Sequence, residues 1–175
     1  DVKGNGRDQL VAIRNPGSSR QIIIFDPADH RRTIHERNYD FPWVVVAAGN
    51  GVADSANKDE IVTSRSGVLG TLDSMLVFRW VAGSSNLQDV AGDKFFPEFR
   101  WIALADVNGS GDDEIFLLRS GRVNNTDIVA LTSRNYGSDS MVQFNQLSGQ
   151  DKWRGIRAGD VDGDGKDEVI VMSSN

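Results

Sequence analysis

Cysteine is absent from all 175 residues. That excludes disulfides, a cysteine nucleophile and thiolate metal sites, and leaves the redox compartment open. Only two histidines occur, His30 and His35, five apart in the polar stretch "HRRTIHERN". They read as two surface residues rather than an acid–base or metal pair. No apolar run comes near the roughly 20 residues that span a bilayer as a helix, so no membrane insertion is expected. Lys and Arg number 19 against 25 Asp and Glu, for a formal net charge of -6. Phosphate neutralisation needs a basic stripe, so nucleic acid is not expected as a partner. There is no Gly-x-Ser-x-Gly elbow, no P-loop and no dinucleotide glycine fingerprint. There is no initiator Met, signal peptide or basic leader at Asp1, and a mature, trimmed or excised piece is expected. Long apolar stripes of helical period are missing too, so helix content should be low.

Eighteen glycines against four prolines point to many tight turns. The turns recur. "DVKGNGRDQLVAIRN" starts at Asp1, "DVNGSGDDEIFLLRS" at Asp106 and "DVDGDGKDEVIVMSS" at Asp160. A distorted copy, "NGVADSANKDEIVTSRS", starts at Asn50 and carries two extra residues. An aspartate just before the exit strand lies at 8, 59, 113 and 167, in steps of 51, 54 and 54. An aromatic landmark stands seven residues before the loop at Trp43, Phe99 and Trp153, with Trp101 two residues beyond Phe99. Because they recur with the unit, these rings read as core. A basic landmark stands six residues after the shared aspartate at Arg14, Arg65 and Arg119, with Ser173 in the last copy. These arginines read as braces of the unit's edge.

Each unit reads as an apolar strand, an Asp/Gly loop, a strand rich in Val, Ile and Leu, and a polar turn ("NPGSS", "SGVLG", "SGRVNN"). A third strand follows ("RQIIIF", "SMLVFRWV", "TDIVALTS"), then a less regular fourth segment. Four short strands per unit of about 50 residues make the blade of a β-propeller. The expected fold is therefore all-β, with about three blades and a partial one, over repeats 1–42, 43–98, 99–152 and 153–175. A propeller typically needs about four to eight blades to close. The segment is thus read as part of a longer propeller, with self-association to complete a ring or an open arc as alternatives.

The last loop has the chemistry of a metal site. Asp160, Asp162 and Asp164 hold positions 1, 3 and 5, Lys166 position 7 and Glu168 position 9. Alternating carboxylates on a curled loop turn toward one point, and Lys166 offers its main-chain carbonyl. Hard oxygen ligands suit Ca²⁺ rather than zinc or copper. An EF-hand is excluded, since position 12 is Val171 and no helix follows. In the loop of Asp106, Asn108, Ser110, Asp112 and Glu114, the ligands carry less charge and should bind more weakly. Lys3 disfavours a cation in the first copy, and broken spacing does so in the second. Asp8, Asp59, Asp113 and Asp167 persist where ligands are lost, so they are expected to cap N–H groups of their own loops.

At these residues the chain resembles the FG-GAP/VCBS repeat family, whose Asp-x-Asp-x-Asp-Gly-x-x-Asp loop joins two strands of a blade. Asp160, Asp162, Asp164 and Glu168 match its ligand positions, with Glu replacing the usual last Asp. Asp106, Asn108, Ser110 and Glu114 match more loosely. The Phe-Gly and Gly-Ala-Pro flanks of integrin-type repeats are missing. The resemblance implies a Ca²⁺-braced propeller, usually exported and used for recognition, without choosing the ligand. The expected function is a non-enzymatic recognition module, extracellular or at the cell surface, binding carbohydrate or a cell-surface protein. The alternative is the propeller part of a polysaccharide-degrading enzyme such as a lyase. Trp80 and Tyr136 fall outside the repeat, and Trp80 could offer a stacking face near a strand end. Asn108-Gly109-Ser110 and Asn124-Asn125-Thr126 match the short, unspecific glycosylation sequon.

Overall fold

The computed structural model describes residues 1–17, 19–28, 30–37, 42–50, 59–65, 75–81, 86–93, 99–123, 126–131, 141–144 and 152–174. Most of the distorted loop after Asn50, the second sequon's asparagines and Tyr136 lie outside them. The described chain is all-β, in four antiparallel sheets. The first holds β1 (Leu10–Arg14), β2 (Arg20–Asp26) and β3 (Arg31–Arg37). The second holds β4 (Trp43–Gly49), β5 (Glu60–Arg65), β6 (Met75–Trp80) and β7 (Leu87–Asp93). The third holds β8 (Phe99–Ala105), β9 (Glu114–Val123), β10 (Thr126–Leu131) and β11 (Met141–Phe144). The fourth holds β12 (Lys152–Gly159) and β13 (Glu168–Ser174). Successive strands pair in order, as in the blades of a propeller, and the sheets form an open arc rather than a closed ring.

The sheets stack face on face, which explains the unbroken apolar runs. A strand covered on both faces reads as continuously hydrophobic. Ile115 and Leu117 of β9 face Val62, Met75 and Val77 of the second sheet. Phe116 and Leu118, one residue out of phase, face Ile156 of the fourth. All four β9 side chains are buried. At about 1.5–3 kcal/mol per buried side chain, such seams dominate the favourable terms. The first and second sheets join through Val2, Ile22, Ile24, Trp43, Ile61 and Phe78.

The two landmarks turn out to be one feature. Trp43 pairs with Arg65, Phe99 with Arg119 and Trp153 with Ser173, each time with a register shift immediately after the aromatic residue. The bulge re-aims the strand where the inner hairpin ends. Trp43 is buried and meets Phe78 edge-on, with ring centroids 5.9 Å apart, as expected for a core ring. Trp101 packs against the seam between the third and fourth sheets. Arg14 braces its own sheet: Nε and Nη2 donate to Gln21 Oε1, on the residue directly opposite, at 2.9 and 2.6 Å.

Three expectations need correction. "SGRVNN" is not a turn throughout, because β9 runs on to Val123 and pairs with Thr126 past a bulge. The hairpin gains ladder hydrogen bonds by continuing. His35 is not a surface residue; it is buried, with its ring 5.7 Å from that of Phe78 in an edge contact. Trp80 is half-buried beside the first seam, and Lys3 Nζ lies 5.5 Å from its ring centroid. The side chain is thus already engaged in a cation–π contact.

Candidate functional site

Three Asp/Gly loops are described in full, and all fold alike. The carboxylate at position 1 is the hub of its loop. Asp160 Oδ1 accepts from the amides of Gly163 and Asp164 at 2.7 and 3.1 Å, and Oδ2 from Gly165 at 3.0 Å. Asp106 accepts from Ser110 and Gly111 at 2.9 and 2.7 Å, and Asp1 accepts from Asn5 and Gly6. Bringing amides inward this tightly requires positive φ at positions 4 and 6. Glycine stands at both in each copy: Gly4 and Gly6, Gly109 and Gly111, Gly163 and Gly165. A side chain there costs about 1–2 kcal/mol. Gly165 has φ 87° with nothing within 4 Å of an added Cβ, so Gly165→Ala isolates that backbone cost. It should lower the melting temperature by roughly 2–8 °C, read by differential scanning calorimetry. An unchanged melt would show that the loop relaxes freely.

Among the described residues, the Asp113 and Asp167 carboxylates do not cap their own loops. Asp59, Asp113 and Asp167 each staple the loop of the preceding repeat. Asp113 N–H donates to the carbonyl of Asn50 at 2.7 Å, and Asp113 Oδ2 accepts from Asn50 N–H at 2.8 Å. Asp167 holds Asp106 in the same two-point way, at 3.0 and 3.1 Å. Asp59 does so for Asp1, taking the amino group of Asp1 on its carboxylate. Burial pushes the Asp113 carboxyl above its ordinary range, against the Asn50 hydrogen bond, with neighbouring carboxylates adding to the rise. Gly49 marks how close this approach is: a Cβ there would run into the Asp113 carboxylate and Leu104.

Position 9 distinguishes the copies. Gln9 Oε1 accepts from Lys3 N–H at 3.1 Å, while its amide donates to Asn5 at 3.2 Å. Glu60 is fully buried and accepts from Arg79 Nε at 3.0 Å. Glu114 accepts from Val107 N–H at 3.1 Å on one oxygen and from the Asn108 side-chain amide on the other. Burial raises the Glu114 pKa, with a like-charge contribution from Asp106. Glu168 repeats the first bond, accepting from Val161 N–H at 2.8 Å. Where Glu114 meets the Asn108 amide, Glu168 faces the carboxylate of Asp162. Ligand oxygens of Asp160, Asp162 and Glu168 lie within 4.8 Å of one another.

Among the described residues this is the one such cluster. Asp164 lies outside the three, and its Oδ1 accepts from Lys166 N–H at 2.9 Å. The Lys166 side chain lies toward the neighbouring loop, where a Cβ on Gly109 would come 3.3 Å from its Cε. Only its carbonyl is a candidate ligand. In the loop of Asp106, Ser110 accepts from Asp112 N–H at 3.3 Å, and Asn108 is engaged with Glu114. Sequence spacing singled out positions 1, 3, 5, 7 and 9, of which the structure brings the carboxylates of 1, 3 and 9 together. It missed the staple, whose signal was present in the persistence of Asp8, Asp59, Asp113 and Asp167.

Four-stranded antiparallel blades stapled loop to loop define a propeller-type repeat protein. More particularly, residues 106–171 match the family model of the FG-GAP-like repeat. The match begins at the first residue of one acidic loop and ends on the exit strand of the next. Such repeats build propeller modules for recognition and typically occur in extracellular proteins. A comparison with curated proteins finds no match. No helix among the described residues is long and apolar enough to cross a membrane.

Proposed function

We propose that the chain is a calcium-braced extracellular recognition module, binding carbohydrate or a cell-surface protein through its rigid blades. The observation that carries the cation is the contrast at position 9. Gln9 accepts from an amide of its loop and donates to Asn5, Glu60 accepts from Arg79, and Glu114 accepts from the Asn108 side-chain amide. Glu168 accepts from Val161 N–H on one oxygen, and beside it stand two further carboxylates rather than a side-chain donor. Carboxylates this close repel one another, a cation between them would relieve that repulsion, and an all-oxygen set selects a hard one. Asp160, Asp162 and Glu168 would hold Ca²⁺, with Asp164 and the Lys166 carbonyl completing the set. In the loop of Asp106, Asn108, Ser110, the Asp112 carbonyl and Glu114 would form the weaker site.

When bound, the ion supplies charge neutralisation and rigidity. The chain's own residues do the rest. Asp160 gathers the loop amides, and the staples pass that order from loop to loop. Ordered blade surfaces support recognition, since little conformational entropy is lost on contact. A glycan array probed with and without chelator tests the reading. Binding of a defined glycan class that weakens on chelation is expected. A protein silent toward every glycan leaves the cell-surface protein limb, tested by binding to intact cells before and after protease treatment. Silence in both assays removes the recognition reading.

A further inference from the structure

The loop of Asp106 differs from the loop of Asp160 by one group of the carboxylate cluster. Positions 1 and 9 are acidic in both, Asp106 and Glu114 against Asp160 and Glu168. Position 3 is Asp162 in one and Asn108 in the other. Gly109 follows Asn108, and the sequence holds two further Asn-Gly pairs, Asn5-Gly6 and Asn50-Gly51. An asparagine before glycine can lose its side-chain amide without an enzyme. The backbone nitrogen of the glycine attacks the side-chain carbonyl carbon, and glycine has no Cβ to hinder the approach. The attack needs that N–H to be uncommitted. Gly6 N–H is committed, donating to the Asp1 carboxylate. Gly163, at position 4 in the loop of Asp160, donates to Asp160 Oδ1 at 2.7 Å. Gly109 holds the same position, yet among the described residues nothing accepts from its N–H. Asp106 takes the amides of Ser110 and Gly111 instead. Asn108 and Gly109 are both exposed, so water reaches the pair. Gly51 lies outside the described residues.

We propose that Asn108 is a site of spontaneous deamidation, and that its product turns the loop of Asp106 into a second acidic cluster like that of Asp160. Gly109 N bonds to Asn108 Cγ as the Cγ–Nδ2 bond breaks. The displaced nitrogen leaves as ammonia, carrying the proton from Gly109. Water then opens the cyclic imide. Attack at Cγ gives aspartate at position 108; attack at the main-chain carbonyl gives isoaspartate, with an extra methylene in the backbone. The Asn108 side-chain amide is at present a donor to Glu114. In the aspartate product a carboxylate oxygen replaces that donor, so position 9 stands beside carboxylates as Glu168 does. The charges repel until a cation stands between them. Deamidation thus exchanges an internal hydrogen bond for a cation requirement. This consequence rests on the calcium site proposed at Asp160; the deamidation itself does not.

Peptide mapping by mass spectrometry, on protein aged in warm, mildly alkaline buffer, tests the modification. Aspartate and isoaspartate should accumulate at position 108 several-fold faster than at position 5. In urea, where no carboxylate holds Gly6 N–H, the two rates should converge. An amide that survives at 108, a glycan attached there, or equal rates in the folded protein overturns the proposal. The consequence is read by calorimetric titration of calcium into variants carrying Asp162→Ala, which disables the loop of Asp160. Asn108→Asp in that background should tighten binding about tenfold or more. Asn108→Gln should not, and circular dichroism checks that the variants fold. Equal calcium affinity with and without Asn108→Asp overturns the consequence. If the unsubstituted protein also takes no calcium, the site at Asp160 fails with it, while the mapping still decides whether Asn108 is modified.

Discussion

Calcium at about a hundred times its dissociation constant should raise the melting temperature by about 5–10 °C. Binding to the folded state alone adds about 2.7 kcal/mol at that excess. A chain of this size converts each kcal/mol into roughly 2–4 °C. Chelation should reverse the shift. Asp162→Ala should abolish it, because Asp162 is one of three carboxylates drawn within 4.8 Å. The same substitution should leave the chelated protein nearly as stable as the chelated wild type. Asp162 accepts one bond from the amide of Asp164 at 3.1 Å, whereas Asp160 is the hub of the loop. Asp160→Ala should therefore destabilise with or without calcium. Identical wild-type melts in calcium and chelator would remove the cation from the account. A shift that survives Asp162→Ala would move it to the loop of Asp106.

Breaking one staple should cost nearly as much. Asp113→Ala removes a charge-assisted bond and leaves the Asn50 amide without its carboxylate partner, for a loss of about 1.5–3 kcal/mol. Asp113→Asn keeps an acceptor and removes the charge whose burial raises the carboxyl pKa. It should cost clearly less than alanine. Gly49→Ala attacks the same junction from the other side. The added Cβ meets Asp113 and Leu104, and overpacking of this kind costs about 1–3 kcal/mol. Urea unfolding of the three variants measures these differences. Equal losses for Asp113→Ala and Asp113→Asn would show that the carboxylate oxygen is not the acceptor that matters.

The propeller blade was legible because its signals are local. Ile115-Phe116-Leu117-Leu118 announces a strand covered on both faces, and Asp-x-Asp-x-Asp-Gly announces a loop closed on its first carboxylate. Glycine at positions 4 and 6 already states the sign of φ there. The cluster of Asp160, Asp162 and Glu168 was readable for the same reason, since all three sit within nine residues. Asp164 was assigned by alternation, which does not account for the twist that turns it toward Lys166 N–H.

The staple was not legible, although its residue was noticed. Asp113 reaches back 63 residues and Asp167 61, and no spacing within a loop encodes a partner at that range. The burial of His35 against Phe78 likewise depends on the first sheet facing the second. Hydrogen bonds and φ preferences within ten residues are properties of the chain itself, so period, strands and loops could be derived from the residues alone. Which carboxylate grips which loop depends on how twisted sheets stack. That stacking is set by the summed burial of Ile61, Val62, Ile115, Leu117 and their neighbours, and only the assembled structure decides it.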